Sequence, residues 1–192
     1  MTTLVAAPAV TLDLPVSFHP VPGDAAIEDR AHAVTELLDT LAVSDPRRRE
    51  ALALYLQALS RSLQNGPVFA TAFCAVQLDG DPSVAALGVA LQYVPQSDPL
   101  VAVAGTAQVW RQEPAPRPGR TIAVERAGHR LLAVRTRAAA PDGPLADVSV
   151  LVPLEGTSWA VLVTVATPDA AHLADYARVA RTVATSARLA AG

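Results

Sequence analysis

Three features of this chain predict an α+β domain: apolar β-prone runs separated by turn signals, leucine- and alanine-rich stretches at helical spacing, and a proline-led helix start at Thr167-Pro168-Asp169. The expected architecture is an antiparallel β-sheet of about six or seven strands, with an inserted helical hairpin and a C-terminal helix packed on it. The densest run of strands covers 120–125, 130–137, 147–154 and 158–166. Their short connections impose antiparallel pairing, because parallel neighbours need a crossover of about a dozen residues or more.

The elements follow in order. Residues 1–10 read as a flexible N-terminal arm and 11–192 as a single α+β domain, long enough to bury about 70% of its unfolded surface without a metal or a disulfide. Leu12, Leu14, Val16 and Phe18 alternate with polar residues or proline up to His19, which predicts a half-buried strand. Pro15 lacks an N–H, so that strand belongs at an edge or a bulge, and Pro20 and Pro22-Gly23 are read as its end. Asp24 can cap a helix running to about Leu41, in which Ile27, Ala31, Val34, Leu38 and Leu41 share one stripe. Ser44-Asp45-Pro46 starts a second helix, with Leu52, Tyr55, Leu56, Leu59 and Leu63 on its apolar face, and Asn65-Gly66-Pro67 ends it. A hairpin is expected from 68–78 and 83–94 around Asp79-Gly80-Asp81-Pro82, followed by a loop at 95–99.

Residues 100–111 mix Val, Ala and Gly and fit a short helix or an irregular strand equally well. Pro114, Pro116 and Pro118 make 112–119 an exposed extended loop. In the last segment Thr167 reads as an N-cap, with Pro168 at the first helical position and Asp169 at the positive end of the dipole. Leu173, Tyr176, Ala177, Ala180, Val183, Ala184 and Ala187 form the expected buried stripe, with Arg178, Arg181 and Arg188 facing water.

Composition narrows the function classes. The chain is 51% hydrophobic but has only eight aromatic residues, so its core is built from many small contacts. All fifteen basic residues are arginine, yet the net charge is −3, which argues against nucleic acid as a partner. The single cysteine, Cys74, lies in an apolar run where it acts as a small buried hydrophobe. There is no basic leader segment and no apolar stretch of membrane-spanning length, so a cytoplasmic, reduced protein with no membrane span is expected.

No residue pattern announces chemistry. His19, His32, His129 and His172 lack a ligand spacing, and Asp79-Gly80-Asp81 shares only the opening of a calcium loop. Nucleophile-elbow, P-loop and dinucleotide-binding motifs are missing. The expectation is therefore no catalytic residue, no metal, no cofactor and no enzymatic activity. A hydrolytic enzyme using scattered carboxylates is the least favoured reading. The candidate partner contacts are Arg47, Arg48 and Arg49, placed where cations oppose a helix dipole, together with Trp110 and Arg111 beside the proline-rich loop. A solvated helix start is the plainer reading of the arginine run, and Trp159, opening a strand, is read as core.

The run from Leu14 to Phe18, the stretch Ala146 to Pro153, the stretch Trp159 to Pro168 and the closing helix together resemble a small actinobacterial α/β/α sandwich of the Mog1/PsbP-like kind. That resemblance implies a binding or assembly factor, in some similar proteins one that accompanies a secretion system. The leading expectation is a non-enzymatic protein-interaction or assembly module with a protein partner, for which a C2 homodimer is one arrangement. The alternative is a small-ligand carrier or sensor with an apolar pocket between sheet and helices.

Overall fold

The structure is a computed structural model, and it describes residues 8–21, 68–95, 98–113, 119–138 and 145–190, together with scattered positions between 32 and 54. Strand β1 spans Val10–Thr11, β2 Phe18–Val21, β3 Val68–Leu78 and β4 Asp81–Tyr93. Helix α1 spans Pro99–Gln112. Strands β5 (Thr121–Ala127), β6 (Arg130–Arg137), β7 (Ala146–Pro153) and β8 (Trp159–Thr167) follow, then helix α2 (Leu173–Ser186) and β9 (Arg188–Leu189). Seven strands form one sheet in the order β2-β3-β4-β8-β7-β6-β5, and all of its pairs are antiparallel. The α+β class and the antiparallel sheet are thus as the sequence implied.

Side-chain alternation sorts the sheet into two faces. Leu87, Val89, Val134, Val148, Val150, Val163 and Val165 point toward α2 and pack on Tyr176, Ala180, Val183 and Ala184. Ala133, Leu151 and Ala160 point the other way, toward Ala102, Val103, Ala107 and Trp110 of α1. The valine and alanine bias suits this arrangement: small and β-branched side chains on the strands let both helices approach closely.

Residues 100–111 are helical, which resolves the open alternative. Asp98 decides it: Oδ1 accepts from the N–H of Leu100 at 2.8 Å and of Val101 at 3.4 Å, with Pro99 in the first turn. The β3–β4 hairpin turns on two residues rather than four. Asp79 and Gly80 have φ of 53° and 89°, so Asp81 and Pro82 already belong to β4, opposite Leu78 and Gln77.

Other expectations need correction. The single strand expected up to His19 is two strands, because a turn closes with Phe18 N–H donating to Pro15 C=O at 2.9 Å. β1 pairs with β9, and β2 pairs with β3. Pro20 lies inside β2 instead of ending it, which an edge strand tolerates. Ala9 C=O accepts from Ala190 N–H at 2.9 Å, so the end of the expected arm is tied down.

Thr167 stays in β8. Its Oγ1 donates to Val84 C=O at 2.7 Å and accepts from Asp169 N–H at 3.0 Å, and one 3-10 turn, Ala170–His172, separates it from α2. The stripe Tyr176, Ala177, Ala180, Val183, Ala184 and Ala187 is buried as expected. Arg188 lies beyond the helix in β9. Of the expected helical hairpin, His32, Thr35, Glu36, Asp39, Pro46, Arg47, Glu50, Ala53 and Leu54 are helical, and the remainder lies outside the described residues. No described helix is long and apolar enough to cross a membrane.

Candidate functional site

The register of β6, β7 and β8 builds a polar row across the α1 face of the sheet. Arg135 stands opposite Ser149, and Ser149 opposite Thr164, while Arg137 stands opposite Asp147. Arg135 is only 9% exposed. Its Nη1 donates to both carboxylate oxygens of Glu113, at 2.7 and 3.0 Å, and Nη2 donates to Ser149 Oγ at 3.2 Å. Ser149 Oγ also bonds Thr164 Oγ1 at 3.2 Å. The guanidinium carbon lies 4.8 Å from the centre of the Trp110 ring, a cation–π contact. Burial, with repulsion from Arg137 second, holds Arg135 below the ordinary guanidinium range. Arg137 Nε bridges both oxygens of Asp147, at 3.0 and 2.8 Å. Arg120 closes the end of α1 by donating to the Trp110 carbonyl at 3.1 Å and the Arg111 carbonyl at 3.3 Å.

These pairings leave nothing poised for acid–base work in the cluster, because each carboxylate is held by a guanidinium. What the cluster does is hold α1 against the sheet. Beside it, the outward side of α1 and the end of β4 enclose an apolar groove of about 270 Å³, with Tyr93, Val94, Val101, Gly105, Val109 and Trp110 among its walls. Three of these are large apolar side chains left in water: Tyr93 is 50% exposed, Val101 47% and Val109 62%. At Gly105 the groove wall is open, since a Cβ there would meet nothing within 4 Å. The Tyr93 ring is steadied edge-on by Trp159 at 5.5 Å.

A second buried polar group lies on the α2 face. Ser83 Oγ and Tyr176 OH are 2.7 Å apart, and burial pushes the Tyr176 phenol up. Cys74 is buried, and burial pushes its thiol up to about 11, with a weaker opposing hydrogen bond from Ser17. A thiol so protonated is a poor nucleophile. His172 sits between Asp169 at 3.5 Å and Asp175 at 3.7 Å, and Asp175 also takes Arg178. Arg181 does not simply face water: it forms two bonds to Glu125, at 2.8 and 2.9 Å, which hold that carboxyl below its ordinary value.

Of the residues expected from sequence to touch a partner, Trp110, Arg111 and Arg47 are among the described residues. Trp110 is 7% exposed, so the open indole anchor is a correction: Arg135 covers the ring and α1 packs it on the sheet. Arg111 is exposed on the last turn of α1. Arg47 is helical and exposed, while Arg48 and Arg49 lie outside the described residues. Sequence reasoning missed Glu113, Arg135, Asp147 and Ser149. The signal was there, since each of two apolar strands carries polar residues two apart. No protein-family model and no curated protein matches this chain.

Proposed function

We propose that this chain is a non-enzymatic protein-interaction or assembly module that takes apolar side chains of a partner protein into the groove between α1 and the end of β4. The observation that carries this reading is the convergence of Tyr93, Val101 and Val109, all about half exposed, on one recess beside a helix anchored to the sheet. Exposed apolar surface gathered at one place on a rigid frame marks a contact site, whereas single exposed valines do not. The buried Arg135 and the half-buried Arg137 and Arg181 add support, since each is spent on a carboxylate of the same chain. A small-ligand carrier has weaker support, because the recess is flanked by side chains that stand in water and not sealed over. The resemblance of the sequence to Mog1/PsbP-like proteins is in line with an assembly role, and an accessory part in a secretion system in the cytoplasm is the setting it suggests.

The test is the double substitution Val101→Glu with Val109→Glu. Both positions face water, so folding stability should change by less than about 0.5 kcal/mol per site. Binding of whichever protein co-purifies with the wild type should be lost. If the groove is filled by a second copy, sedimentation will show a wild-type dimer and a monomeric variant. Unchanged partner recovery and unchanged mass would refute the reading.

A further inference from the structure

A second recess, of about 170 Å³, lies at the start of α1, between its first turn and the turns that join β5 to β6 and β7 to β8. Its charged walls are Asp98, Arg126, His129, Arg130 and Glu155. The two acids are already engaged: Asp98 caps α1 through its Oδ1, and Glu155 lies 3.6 Å from His129 Nε2. The two arginines are not. Arg135, Arg137 and Arg181 each face a carboxylate, and Arg120 faces carbonyls, but Arg126 and Arg130 have no such acceptor among the described residues. Arg130 Nη1 is moreover sealed from solvent and makes no hydrogen bond. An unmatched charged donor is costly, as at Arg135 Nε, which stays unpaired inside the fold, and a ligand's oxygen is one way to satisfy it.

We propose that this recess binds the carboxylate of a monoanionic ligand, with Arg130 and Arg126 donating to its oxygens and a short apolar body resting on Leu131 and Pro153. Guanidinium groups match a planar carboxylate in geometry and charge. A dianion such as phosphate is disfavoured because Asp98 and Glu155 line the same space. The N-terminus of α1 is not part of the argument, since Asp98 already accepts from its first free N–H groups. The site shares no lining residue with the groove near Val109.

The carboxylate can come from a free small acid or from the C-terminus of a peptide. Amide chemical shifts of the full chain, titrated separately with 4-methylpentanoate, a tetrapeptide ending in leucine, the same peptide as its C-terminal amide, and inorganic phosphate, distinguish these. Saturable shifts at Gly128, His129 and Leu131 from at least one carboxylate are expected, with none from the amide. Equal affinity for both carboxylates supports a site for the group itself, and a response to the peptide alone supports a chain-end site. Arg130→Gln and, as a surface change that spares folding, Arg126→Gln should each weaken binding about tenfold. The proposal is overturned by no saturable response to either acid, by phosphate binding more tightly than both, by equal binding of the amide, or by unaltered affinity in Arg126→Gln.

Discussion

Replacing Arg135 by methionine separates a structural arginine from one held ready for a ligand. The substitution removes a desolvated cation–π contact with Trp110, about 1–2 kcal/mol. It also removes the pair with Glu113, whose side chain is 38% exposed, so that solvent screening reduces its share to about 0.5–1 kcal/mol. The bond to Ser149 adds about 1 kcal/mol, softened because Ser149 keeps Thr164. Two terms oppose these. Arg135 Nε is buried without an acceptor, and deleting it returns about 1–2 kcal/mol. A thioether on the Trp110 ring returns about 0.5–1 kcal/mol. The net cost of Arg135→Met is about 1 kcal/mol, whereas Arg135→Ala, which leaves a void under α1, should cost about 2–4 kcal/mol. Urea unfolding followed by tryptophan fluorescence measures both, with equal m-values as the check on two-state behaviour. A loss above about 3 kcal/mol for methionine, or equal losses for methionine and alanine, would refute this assignment of the energy to stacking and packing.

Other expectations follow from the same contacts. Gly105→Ala should stabilise the protein by about 0.5–1 kcal/mol in thermal unfolding, because alanine favours the helix and its Cβ meets no neighbour within 4 Å. Cys74, with its thiol raised from 9.0 to about 11, should react with a disulfide reagent at pH 8 roughly a hundredfold more slowly in native protein than in urea, from thiolate population alone; equal rates would show that the β3 interior is open. Glu125→Gln should cost about 0.5–1 kcal/mol at neutral pH. Because pairing with Arg181 lowers the folded-state pKa of Glu125, that contribution is complete above the ordinary glutamate range and is lost as pH falls below it. Melting curves of wild type and variant should therefore converge in acid, and a gap that widens there would contradict the pairing.

Much of the fold was legible because local pattern and global packing agree. The four strands between Thr121 and Thr167 lie close to the apolar runs, and the α2 stripe follows helical spacing, because each buries the face its periodicity declares. The break between β1 and β2, and the two-residue β9 that pairs with β1, carry no period of their own. Helix α1 is ambiguous from its interior, 100–111, and its start signal, Asp98-Pro99, lies just before that run. The arginine cluster depends on register: nothing in the linear order sets Arg135 against Ser149 or brings Glu113 back over β6. The exposure of Trp110 was misjudged for the same reason, since the proline-rich neighbourhood suggests surface while the covering guanidinium comes from a strand twenty-five residues away.

The proposed contact role of the α1 groove is open to a direct test at its walls. Photoreactive amino acids placed singly at Val101 and Val109, with Val16 as a control that is 99% exposed elsewhere on the surface, test it in living cells of the native host. A discrete cross-linked species from both groove positions, absent from Val16 and abolished at the partnered position by the neighbouring glutamate substitution, is the expected result. No adduct at either groove position, or the same adducts from Val16, would contradict the account.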